Sequence, residues 1–157
     1  MQKGIEKCRE NVKDYLEDAR LIADSGRLNH AVISLQFAIE EFGKLLLLKE
    51  SLNNANTDPV EINGKDFCNH DNKTEKALKV VDPQSKYRLL FRGYFGNHFP
   101  RGHFPLGYFG GRKISNKLRL DCAFVDFVNG KWTSGRLINS QRFHELVDIV
   151  EQELGKV

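Results

Sequence analysis

Residues 28–52 read LNHAVISLQFAIEEFGKLLLLKESL, and this stretch decides the fold. Leu28, Val32, Leu35, Ile39, Phe42 and Leu46 recur at alternating steps of four and three, the spacing of one helical face. Ala31, Ala38 and Leu45 widen that stripe. At about 100° per residue, the other side gathers Ile33, Phe37, Leu47 and Leu48, mixed with His30, Glu40, Glu41 and Lys44. A helix apolar over most of its circumference is covered by neighbours on several sides, so this is the central helix. Ionised carboxylates in such a place are costly unless paired or hydrogen-bonded. Glu40 and Glu41 both stand at helical offsets from which Lys44 can be reached. The stretch therefore predicts a polar cluster set into an apolar helix.

Working outward, residues 4–24 predict a first helix. Ile5, Cys8, Val12, Tyr15 or Leu16, Ala19 and Ile22 form a single apolar stripe. Asp24-Ser25-Gly26 ends it, and Gly26 suits the left-handed position after a helix terminus. So short a connection to the central helix implies an antiparallel helical hairpin. Asn53-Asn54 and the residues up to Pro59 break the second helix. A third, weaker helix is expected over residues 63–81, with Phe67, Cys68, Ala77, Leu78 and Val81 as its apolar contacts. On it His70 and Lys73, three apart, would face the same way. Asp82-Pro83 closes this segment, and Pro83 can open a short helix running to Phe91.

Residues 93–111, GYFGNHFPRGHFPLGYFGG, are of another kind. Their glycines and prolines forbid a long helix or a central strand, which leaves an irregular aromatic loop. Residues 114–120 resume a helix or ordered turn. Beyond them, residues 123–127 read as extended. Asn129-Gly130 is a tight-turn signal, so residues 131–133 can pair back on them. Asn139-Ser140 caps a last helix, with Phe143, Leu146, Val147, Val150 and Leu154 on its inner face. The architecture expected is all-α: one domain over residues 1–157, built around a helical hairpin, with a small extended segment before the final helix.

Bulk composition narrows the classes. With 157 residues, 40% hydrophobic and 29% charged, the chain suits one globular domain rather than a disordered tail. A net charge of +3 permits nucleic-acid contact without arguing for it. No apolar run is long enough to cross a bilayer, and residues 1–13 lack the apolar core of a signal peptide. Cys8, Cys68 and Cys122 share no metal-ligand spacing and read as free thiols. The expectation is a cytoplasmic domain with neither cofactor nor metal.

Three motifs in order resemble one family. Ala38-Ile39-Glu40-Glu41-Phe42-Gly43-Lys44 resembles the AIEELGK signature of the AbiV abortive-infection family, part of the HEPN superfamily of helical domains. His70-Asp71-Asn72-Lys73 resembles its His-x-x-Lys segment. Arg119, then residues 123–127 and Gly130-Lys131-Trp132-Thr133-Ser134, resemble its Arg, LYVDF and GWSSP region. Phe124 stands where a tyrosine is usual, and Gly135 replaces a proline. The resemblance implies a HEPN-like bundle and a role in bacterial antiphage defence by abortive infection, acting on RNA or shutting down translation. It also implies a homodimer, since HEPN ribonucleases are commonly metal-independent dimers with a composite site.

The candidate site joins Glu41 and Lys44 to His70, Lys73 and Arg119. Cleavage of RNA by its own 2′-hydroxyl needs a base, positive charge for the phosphorane and an acid for the leaving oxygen. His70 has the intrinsic pKa for proton transfer. Lys44, Lys73 and Arg119 supply charge, and Glu41 can orient a lysine or the imidazole. Glu40 and Asp126 are secondary candidates. So are Arg92 and His98, which match the superfamily's arginine-to-histidine spacing but fall in the aromatic loop. The alternative to a site is a structural ion-pair network of Glu40, Glu41 and Lys44. The alternative to an enzyme is a module that sequesters a phage or host protein through Phe99, Phe104 and Tyr108, or a toxin held inactive by a partner. Gly43 is expected to admit the backbone of another helix, within the fold or across a dimer.

Overall fold

The computed structural model describes residues 1–54, 69–84, 125–128, 131–134 and 139–157. Helices α1 (Gln2–Asp24) and α2 (Leu28–Asn54) form the hairpin. Helix α3 (His70–Val81) follows, then strands β1 (Val125–Val128) and β2 (Lys131–Ser134), then α4 (Ser140–Lys156). The fold is an all-α, HEPN-like bundle, with one two-stranded ribbon among the described residues.

The end of α1 is a Schellman turn. Gly26 sits at φ +81°, its N–H donates to Ala23 O, and the Arg27 N–H donates to Ile22 O. The chain then reverses. Tyr15 lies against Phe37 with ring centroids 5.4 Å apart, Asn11 reaches Glu41, and Gly4 faces Leu48. These contacts step in opposite chain directions, as an antiparallel pair must.

Each face of α2 has its own neighbour. Phe37, Glu41 and Leu48 meet α1. Glu40, Gly43 and Glu50 meet α3, through His70, Lys73 and Lys76 respectively. Leu35, Ile39 and Phe42 are almost wholly buried in the core, to which α4 contributes Phe143, Leu146, Val147 and Val150. Three covered faces account for the apolar circumference of the central helix.

Helix α4 is tied to α1 along its C-terminal half. Arg20 pairs with Asp148 at 2.9 Å and Glu151 at 2.6 Å, and Arg9 donates to the Leu154 carbonyl at 3.1 Å. Lys49 of α2 donates to the Val157 carbonyl oxygen. Arg9 and Lys49 satisfy carbonyls that a helix end leaves open and complement its dipole. At the other end the Asn139 side chain accepts from the Arg142 N–H at 2.8 Å. Asn139→Ala is expected to cost about 1 kcal/mol of stability, measurable by urea denaturation; an unchanged midpoint would show that solvent replaces the cap.

One boundary differs from the sequence reading. The helix expected over 63–81 is interrupted at Asn69, so that α3 starts at His70, and Asn69 caps it; residues 63–68 lie outside the described residues. The Asn69 side chain faces the Asn72 N–H at 3.5 Å, and the Asn69 carbonyl accepts from Lys73 N–H at 3.3 Å. A short polar side chain that competes for backbone donors favours a helix start over a helix interior. Phe67 and Cys68 lie outside the described residues, as do the expected short helix to Phe91, the loop 93–111 and the segment 114–120. The extended patch is present. Val125 pairs with Ser134, Asp126 with Thr133, Phe127 with Trp132 and Val128 with Lys131. Val128 and Lys131 are adjacent across the ladder with two residues between them in sequence, the spacing of a tight hairpin.

Candidate functional site

The polar residues of α2 separate into two clusters because neighbouring positions on a helix diverge by about 100°. Glu41 faces α1. Lys44, one turn on, pairs with Glu41 Oε1, while Asn11 Nδ2 approaches Oε2 at 3.5 Å. The Cys8 thiol lies close enough to Glu41 to feel its charge. Both partners of the ion pair are largely covered, with Glu41 the more buried.

Burial and then the Glu41 charge push the Cys8 thiol above its ordinary value of 9.0; Lys44 works the other way. The folded state therefore holds the thiol proton more tightly than the unfolded chain does. This contribution to stability is intact below pH 9.0 and is lost as pH rises through the folded-state value. A covered, protonated thiol is a poor nucleophile. Alkylation of Cys8 by iodoacetamide at pH 8 is expected to be slower than in denatured chain by on the order of 100-fold, read by peptide mass spectrometry. Equal rates would place the thiol in solvent.

Glu40 faces α3, and of the two partners open to Glu41 on sequence, a lysine or the imidazole, the structure gives it the lysine. The carboxylate beside the imidazole is Glu40, not Glu41: His70 Nδ1 lies 2.6 Å from Glu40 Oε2. The histidine side chain is 45% exposed and the glutamate 5%. An ionised carboxylate can only accept, so Nδ1 carries the proton and Nε2 keeps its lone pair in the neutral ring. Gln36, fully buried one turn earlier, donates from Nε2 to Glu40 Oε1 at 3.4 Å.

Gly43 brings α3 to this spot. A Cβ built on it would stand 2.0 Å from the Lys73 carbonyl oxygen, so the helices cross backbone to backbone within the fold. Lys73 itself is 4% exposed. Although it shares a helical side with His70, it lies inside the crossing while His70, at the first turn, reaches solvent. The positive charge expected of it from sequence is therefore set in the interior rather than beside the exposed imidazole.

Of the residues singled out from sequence, Glu40, His70 and Lys73 come together at the α2/α3 crossing. Glu41 and Lys44 stand on the α1 side. Asp126 occupies a ladder position opposite Thr133. Arg119, Arg92, His98, Phe99, Phe104 and Tyr108 lie outside the described residues. Gln36 and Asn11 were missed. A glutamine four before Glu40 and seven before Gly43 shares their face, and that spacing was the available signal. Among the described residues no group of three or more His, Cys, Asp or Glu is arranged to hold a metal ion. Among them, too, no helix is long and apolar enough to cross a membrane.

The family model for the HEPN domain of AbiV matches residues 1–154, a span that holds the hairpin, the glycine crossing and the His-x-x-Lys segment. The chain belongs to the AbiV family. No curated protein and no solved structure matches it at a significant level. AbiV proteins are abortive-infection proteins, and the match covers both halves of the His70–Glu40 contact as well as the hairpin that carries them.

Proposed function

We propose that this AbiV-family protein defends a bacterial cell against phage by cutting RNA without a metal ion. One observation carries the reading: a half-exposed imidazole whose Nδ1–H donates to a buried carboxylate, leaving Nε2 to act on a substrate. In this reaction Nε2 of His70 takes the proton of a ribose 2′-hydroxyl. The 2′-oxygen attacks the adjacent phosphorus, and the bond to the 5′-oxygen breaks. The leaving oxygen then takes a proton, so the products carry a 2′,3′-cyclic phosphate and a 5′-hydroxyl.

Glu40 orients the ring and stabilises the imidazolium that forms, the part a buried carboxylate plays beside a catalytic histidine. Lys73 adds positive potential from inside the crossing. Arg119 is the cation assigned to the phosphorane. The acid is the imidazolium of His70 from a second copy, in keeping with the composite sites of HEPN relatives, so the active species in this reading is a homodimer.

The test uses the full-length protein with RNA in the presence of a chelator. Cleavage leaving cyclic-phosphate ends, lost together with phage protection when His70 is replaced, supports the reading. Protection that survives in a folded His70 variant sinks it and favours capture of a protein through residues 93–111.

A further inference from the structure

Gln36 is an unexpected residue in its place. It is fully buried on α2, where an apolar side chain of the same length would fill the space without a hydrogen-bonding demand. Its Nε2 amide donates to Glu40 Oε1 at 3.4 Å, while Glu40 Oε2 takes the His70 Nδ1–H at 2.6 Å. Each carboxylate oxygen thus has a separate partner, one from the preceding turn of α2 and one from α3.

The terminal torsion of a glutamate is broad, so a carboxylate held at one oxygen can still swing about its axis. A second contact at the other oxygen limits that swing. At 3.4 Å the amide contact is at the long end of the hydrogen-bond range and acts as a restraint on orientation more than as a source of stability. The orientation matters because an unrestrained neutral imidazole prefers its proton on Nε2. Holding it on Nδ1 requires an acceptor kept in line with that atom.

We propose that Gln36 is a positioning residue: it fixes the plane of the Glu40 carboxylate and thereby keeps neutral His70 in the Nδ1–H tautomer, with Nε2 free to accept a proton. The catalytic consequence rests on the ribonuclease reading above. The tautomer does not, since it is a property of the folded protein alone.

The experiment is nitrogen-15 NMR of the imidazoles in the full chain at a pH where His70 is neutral, with His70 assigned from the spectrum of His70→Asn. Wild type is expected to show His70 with the proton on Nδ1. Gln36→Met, which keeps length and removes the donor, is expected to raise the Nε2–H population at least threefold. In the same variant RNA cleavage should fall about tenfold in kcat with KM nearly unchanged, far less than the roughly 10⁴-fold that follows loss of a catalytic histidine's direct carboxylate partner, because Gln36 acts through Glu40. An unchanged tautomer ratio in folded Gln36→Met overturns the proposal. A tautomer shift in a protein that cuts no RNA upholds the positioning role and discards the ribonuclease. Should the methionine variant not fold, Gln36→Leu and Glu40→Leu, which removes the acceptor, decide: if the folded Glu40→Leu protein keeps the wild-type tautomer, Gln36 has nothing to act through and the proposal fails.

Discussion

Gly43→Ala is expected to destabilise the domain by about 3 kcal/mol, at the upper end of what overpacking costs. The sign is the informative part. In an exposed helix interior the same change stabilises by roughly 0.5–1 kcal/mol, because alanine loses less backbone entropy than glycine. At position 43 the added carbon would lie 2.0 Å from the carbonyl oxygen of Lys73, 2.6 Å from its carbonyl carbon and 2.9 Å from its Cα. All three are backbone atoms, so no side-chain rotation relieves the contact. Helix α3 has to lift away from α2, and Ala77, Leu78 and Val81 lose packing as it does. The lift also separates His70 from Glu40, so activity should fall by more than the loss of folded protein explains. Urea denaturation measures the first effect. A variant as stable as wild type, or more so, would mean that the two helices do not cross at this point.

The second large effect concerns His70, and the geometry selects the substitution. His70→Ala would strand a buried carboxylate, so any loss of activity would be confounded with a loss of stability. Asparagine places its amide nitrogen near the position of Nδ1 and can still donate to Glu40 Oε2, but it has no atom equivalent to Nε2. His70→Asn is therefore expected to fold with near wild-type stability and to lose RNA cleavage by on the order of 10³-fold, with phage protection lost in parallel. The paired measurements are a melting curve and a cleavage rate under chelation. A folded His70→Asn protein that still cuts RNA would remove the imidazole from the chemistry.

Much of the scaffold was legible without coordinates. The four-and-three spacing from Leu28 to Leu46 identified the central helix, Gly26 marked the reversal, and Asn139 marked the start of α4 with its inner face correctly placed. These are local signals, each decided within a few residues by propensity, capping or periodicity. The allocation of carboxylates was not local. Glu40 and Glu41 are adjacent and equally able to reach Lys44 by offset. Which one meets His70 depends on where α3 crosses, and that is set by a glycine and a contact thirty residues away. Gln36 was hidden for a similar reason, because a lone glutamine in a helix reads as solvent-facing until a neighbouring helix covers it. The break at Asn69 was not read, since Phe67 and Cys68 carry an apolar pattern up to it and only its capping chemistry marks the start of α3.

The tight turn at Gly26 has a consequence for the order of assembly. Because α1 and α2 are joined by so few residues, closing that hairpin carries little loop entropy, whereas α3 must return to α2 across a much longer connection. The hairpin is thus expected to form early and α3 to dock late. Until docking, Glu40 sits on the open side of the hairpin, hydrated and without its imidazole, and proton-transfer geometry does not exist. Competence arrives only with the final packing step, so an incompletely folded chain carries every residue of the proposed site and none of its chemistry.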